Sequence, residues 1–181
     1  MSVFSNPAAS APGQAAEYVA AVLNLLGDRN GLDVLERTAQ ALGRMLHALS
    51  DEQVSQPEAP GKWSVRDVVQ HLADSEIVWG FRLRMALAQD RPRLVGYDQD
   101  QWAVRLHYED SDPKQALEQF GVLRRSNLAL LNGASDDDLQ RVAVHAERGE
   151  QTIAQMVRLC AGHDLLHLNQ VERIRMTLAH S

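Results

Sequence analysis

Cysteine is almost absent from this chain of 181 residues: Cys160 stands alone, so no internal disulfide framework can hold the fold. A single thiol fits a reducing compartment. No apolar run approaches the roughly 20 residues that a membrane-spanning helix requires. The opening stretch "MSVFSNPAASAPGQAAE" has neither a basic segment nor a continuous apolar one, so a secretory leader is not expected. Long runs of one charge are missing as well. Acidic residues number 24 against 18 basic ones, a net charge of −6, which argues against nucleic acid and anionic membrane as partners. Alternating β-type segments are scarce, and "RVAVHAE" at 141–147 is the only short candidate strand. Internal repeats and low-complexity inserts are absent too. These absences leave a cytoplasmic protein with one domain over residues 16–181, preceded by a flexible tail, 1–15.

What the chain does contain is helix. A short helix is predicted over 16–26, closed by Gly27, and the first long helix over 32–49. The next long helix opens at "KWSVRDVV", where Ser64 caps, Asp67 sits at the third position and Trp63 can staple onto Val68; it runs to about Gln89. The third opens at "SDPKQ" with Asp112 as cap and Pro113 in the first turn, and stops at Gly133. The fourth begins at "TIAQ", a capping box of Thr152 and Gln155, and extends close to the C-terminus. The link over 90–112 is longer than an antiparallel neighbour needs, which allows a crossing and the order up-down-down-up. Tyr97, Asp98, Asp100 and Trp102 suggest a short packed helix within it. The expected fold is therefore an all-α four-helix bundle.

Histidine placement carries the functional question. On the last helix, whose apolar stripe runs through Ile153, Met156, Val157, Cys160, Val171 and Ile174, His163 and His167 project at about 280° and 320° from Ile153, inside the stripe. Imidazoles at i and i+4 lie one turn apart on one face, a spacing that suits chelation of one ion. Such a pair also arises by chance, and ordinary hydrogen bonding of two core histidines remains the alternative. The Glu of the metallopeptidase pattern H-E-x-x-H is missing, since Asp164 and Leu165 follow His163. Gly162, just before the pair, is a poor helix former and could admit a close approach to the backbone. On the second long helix, His71 falls at the edge of the core stripe, on the flank shared with Ser75 and Arg82. Ser75 and Asp74, about one turn from His71, are candidate pocket groups, with a solvated flank favoured for Asp74. Cys160 could be a fourth ligand but reads more simply as a small buried hydrophobe. His145 is a spare ligand or a loop residue; His47 and His180 read as surface and His107 as loop. The Asp cluster at 136–138 behind Ser135 reads as a capped surface turn.

"GKWSVRDVVQHLADSE" followed far downstream by "GEQTIAQMVRLCAGHDLLHLNQVERIR" resembles the DinB-like superfamily of four-helix-bundle metalloenzymes, the DinB/YfiT group. "YDQDQWA" and "FGVLRRSNLALL" extend the resemblance over roughly residues 30–178. It implies an up-down-down-up bundle and a metal triad at His71, His163 and His167, binding a divalent ion such as zinc or nickel. It also implies a homodimer as one assembly that members form, and relatives that use bacillithiol, mycothiol or glutathione. Three neutral imidazoles leave an ion's charge uncancelled and coordination positions open, so a thiol or a water there would become a nucleophile at neutral pH. The expected activity is that of a metal-dependent transferase or hydrolase acting on a small molecule. A non-catalytic metal-binding stress-response bundle and a helical interaction protein with core histidines are the alternatives.

Overall fold

The computed structural model describes residues 12–178. Helix α1 (Pro12–Leu26) begins inside the stretch expected to be tail; the rest of that expectation, residues 1–11, and His180 lie outside the described residues. Gly27, at φ 59°, stops α1 in the left-handed conformation that a glycine adopts without strain. Helix α2 (Gly31–His47) starts on the Asn30 side chain, and a short α3 (Asp51–Ser55) follows on a Ser50/Gln53 capping box that the sequence reading passed over. Helix α4 (Val65–Ala88) has the expected Ser64/Asp67 capping box. The long link contains strand β1 (Arg93–Leu94), the anticipated short helix as α5 (Gln99–Arg105), and a single 3-10 turn at Tyr108–Asp110. Helix α6 (Pro113–Asn132) begins on Asp112 with Pro113 in its first turn. The Ser135 turn forms a one-turn α7 (Asp136–Leu139), and α8 (Ile153–Leu178) opens on the Thr152/Gln155 pair, whose reciprocal bonds are 2.9 and 3.1 Å.

Directions follow from which residues meet. Along α4 and α8 the pairing is antiparallel: Val65 and Val68 share a cluster with Val171 and Ile174, and Trp79 and Leu83 share one with Ile153 and Met156. Helices α4 and α6 run parallel, with Val69 and Phe120 in one cluster and Ala86 and Leu131 in the other. Helices α2 and α8 are parallel too, since Leu42 shares one cluster with Val171 and Leu35 shares the other with Val157. The order is therefore up-down-down-up, with α2, α6, α4 and α8 as successive neighbours around the bundle. No described helix is long and apolar enough to cross a membrane.

The candidate strand proves real. β2 (Val142–His145) pairs antiparallel with β3 (Gly149–Thr152) and parallel with β1, placing Leu94 opposite His145. This small sheet ties the long link to the hairpin before α8. It thereby brings Tyr97 and Arg148, far apart in sequence, to one cavity.

A candidate metal centre between two helices

Three imidazoles from two antiparallel helices meet in the core. His71 of α4 is fully buried, His167 is nearly so, and His163 is half-buried. His71 Nε2 lies 3.1 Å from His163 Nε2, and one ring nitrogen from each of the three residues falls within 4.8 Å of the others. Metal–nitrogen bonds of about 2.0–2.1 Å set about 90–110° apart need donors about 3.0–3.4 Å from each other. The His71–His163 separation fits that span.

The surroundings prepare the rings as ligands. Burial pushes His163 down to about 4 and His167 down to about 3, and burial with the two neighbouring imidazoles holds His71 well below the ordinary range. All three are neutral at pH 7, the form that coordinates. His167 Nδ1 donates to Gln170 Oε1 at 2.8 Å, which fixes its tautomer and leaves Nε2 its lone pair. The indole of Trp63 lies 4.9 Å from the His71 ring and 6.4 Å from that of His167, nearly parallel to the latter, and walls the triad from the lower core. The W-S start of α4 thus supplies a helix cap with one residue and a wall of the site with the other.

Of the two pocket candidates, the structure brings Ser75 to the triad. Its Oγ lies 3.3 Å from His71 Nε2 and 2.8 Å from the Tyr97 hydroxyl, a phenol that burial holds above its usual range. Asp74 is neither on a solvated flank nor against the triad: it is buried, accepting from the Tyr108 hydroxyl at 2.7 Å and from Gln70 Nε2 at 3.2 Å. Cys160 does not join the group of ligand atoms, and burial together with the nearby Asp164 raises its thiol well above the usual range. His145 is a buried strand residue, not a loop residue, because β2 carries it inward. His47 is exposed, as expected, and His107 lies, as expected, outside the regular elements, between α5 and the 3-10 turn.

A cavity of about 140 Å³ adjoins the triad, and both His163 and His167 line it. Beneath it Arg124 joins two buried carboxylates, with bonds of 2.8 Å to Glu76 and 2.6 Å to Asp164 and a further one of 2.9 Å to the Leu35 carbonyl. Burial works against the Arg124 charge, but Asp164 and Glu76 outweigh it and hold the guanidinium protonated. Sequence reasoning missed Gln170, Arg124 and Arg148. Only Gln170 left a signal, a carbonyl-bearing side chain one turn after His167.

A family model described as the DinB superfamily matches residues 34–171. A relative from Oceanobacillus iheyensis is 26% identical over 141 residues, covering 78% of this chain and 81% of that protein. YfiT of Bacillus subtilis is 26% identical over 151 residues, covering 83% of this chain and 85% of its own. Both carry the name "Putative metal-dependent hydrolase". The solved structure of YfiT superposes with a TM-score of 0.77 at 25% identity, over 82% of this chain and 86% of that one. It is described as a probable metal-dependent hydrolase with an unusual four-helix bundle topology.

Proposed function

This chain belongs to the DinB superfamily, and from that premise we propose that it is a metal-dependent hydrolase of a small molecule, with His71, His163 and His167 holding zinc or nickel. One observation carries the reading. Three neutral imidazoles converge without a fourth His, Cys or carboxylate among the described residues, and two of them border a cavity. A site that only braced helices would close its coordination sphere with protein ligands; three ligands beside open space suit catalysis. Imidazole donors favour zinc or nickel over magnesium or calcium, which prefer oxygen.

A bound divalent ion supplies Lewis acidity, polarising the bond to be cleaved and lowering the pKa of the attacking nucleophile. The chain's own groups orient and shield. Gln170 holds His167 in one tautomer, Trp63 keeps water from the core side of the triad, and the Ser75 hydroxyl with Tyr97 behind it provides a hydrogen-bonding path at the edge of His71. A low-molecular-weight thiol in place of water would make the same site a transferase.

The test is elemental analysis of the full chain after zinc or nickel supplementation, with assays on esters and amides run with and without bacillithiol, mycothiol or glutathione. Stoichiometric metal and hydrolysis without thiol, both lost in His163→Ala and His167→Ala, is the expected result. Turnover only with thiol would replace hydrolase by transferase. Retained metal with no turnover would favour a structural ion, and no retained metal would return the histidines to core hydrogen bonding.

A further inference from the structure

The cavity beside the triad holds more positive hydrogen-bonding capacity than the triad uses. Arg82, on the α4 flank of His71 and Ser75, and Arg148, in the β2–β3 turn, both line it and are both half-buried. Arg82 donates to the Val95 carbonyl, and Arg148 Nε donates to Gln151 Oε1 at 3.3 Å. A guanidinium has five N–H donors, so these bonds occupy a minority of them. Among the described residues neither guanidinium forms an ion pair. Of the carboxylates lining the cavity, Glu76 and Asp164 are engaged by Arg124; Glu147 lies against Gly96, near enough for its charge to act on Arg82 and Arg148, but it forms no ion pair with either among the described residues.

His145 adds a third donor. It lines the same cavity at 1% exposure, and its Nε2 has no hydrogen-bond partner. Its Nδ1 accepts from the Glu147 backbone N–H at 3.2 Å. A neutral imidazole whose Nδ1 accepts must carry its proton on Nε2. The ring is neutral, because burial and the charges of Arg148 and Arg82 push it down to about 3. The unpartnered atom is therefore an N–H donor, and buried donors are rarely left unpaired without a reason.

We propose that this cavity binds a small substrate by an anionic oxygen group, carboxylate or phosphoryl, held by Arg82 and Arg148 with His145 Nε2–H as the third donor. Guanidinium forks match the paired oxygens of such groups. A cavity of about 140 Å³ resembles in size the engineered cavity of about 150 Å³ that takes up benzene, so it has room for a ring bearing an anionic group. The inference rests on the hydrolase reading for the bond that is cleaved at the triad, but not for the binding itself.

The test measures binding of sodium benzoate and of inorganic phosphate by calorimetry, at fixed ionic strength, to the full chain stripped of metal by chelator. Benzamide serves as the uncharged control. Saturable binding of one anion and none of benzamide is expected, weakened about tenfold or more in Arg82→Gln and Arg148→Gln and less in Arg148→Lys. Circular dichroism confirms that each variant is folded, and Arg148→Lys supplies the comparison should Arg148→Gln misfold. Binding of benzoate alone assigns a carboxylate and of phosphate alone a phosphoryl group; either supports the proposal. Absence of binding by both anions, or affinities unchanged in all the variants, overturns it. Because the protein carries no metal in this experiment, failure of the hydrolase reading would leave its result standing, and the reverse.

Discussion

His71 Nε2 and His163 Nε2 face each other at 3.1 Å across the groove between α4 and α8, although 92 positions separate them in sequence. Two acceptor lone pairs that close repel unless a proton or a cation lies between them. A divalent ion satisfies both and the third imidazole with them.

The orientation of the third imidazole gives the first prediction. Gln170 accepts from His167 Nδ1, so its loss frees the ring to rotate and to switch tautomer. Gln170→Ala should weaken metal affinity by about 10–100-fold, the usual cost of losing such a support. His167→Ala should cost more, because it removes the ligand. Competition with a chromophoric chelator ranks the variants. Equal affinity in Gln170→Ala and the unchanged protein would show that packing alone orients the ring.

Much of this arrangement was legible in the sequence. Capping residues placed three of the four long helices and apolar spacing the first, and the length of the 90–112 link allowed the crossing that the bundle makes. His163 and His167 were legible because i,i+4 spacing fixes a common face whatever else the chain does. Arg148 was not, because its position depends on pairing β1 with β2, a contact between distant segments only two residues long in β1. Arg124 was hidden for another reason: it stands beside Arg125 in a polar stretch, and nothing local says which of the two turns inward.

Gly162 gives the second prediction. A Cβ added there would collide with the Val22 carbonyl of α1. Alanine improves helix propensity by about 1 kcal/mol, but a backbone carbonyl cannot move unless α1 shifts. Overpacking of this kind costs about 1–3 kcal/mol, so the clash should win and Gly162→Ala should lower stability in urea unfolding. Tyr18 on α1 lines the cavity, so anion affinity should change as well. A stabilised Gly162→Ala would mean that α1 docks loosely.

The third prediction concerns pH. His163 and His167 protonate near pH 4 and 3 in the folded chain because burial disfavours the charge, whereas in the unfolded chain they protonate near pH 6.5. Between those values the unfolded state binds more protons, so stability rises with pH through that window. Metal-free protein should be most stable above about pH 6.5 and weaken steadily as the pH falls toward about 4. The His163→Ala/His167→Ala double variant should show a shallower slope in urea midpoints taken across this range. An identical slope would mean that other groups dominate the acid response.

The last prediction separates the role of Arg124 from that of the triad. Its guanidinium sits between Glu76 and Asp164, all three almost fully buried, with Asn127 donating to Glu76 at 2.8 Å and Phe120 4.6 Å beneath the guanidinium carbon. Arg124→Met keeps most of the volume but leaves two carboxylates facing each other without a counter-charge. Breaking a buried pair in this way costs about 3–5 kcal/mol, and with two carboxylates stranded the upper end applies. Replacing the partners as well, in Arg124→Met/Glu76→Gln/Asp164→Asn, removes the stranded charge and should recover a large part of the loss. Denaturation midpoints of the single and triple variants test this directly. If the triple variant is no more stable than the single one, Arg124 contributes through packing on Phe120 and its bond to the Leu35 carbonyl, and the charge balance beneath the cavity is not what holds α4, α6 and α8 together.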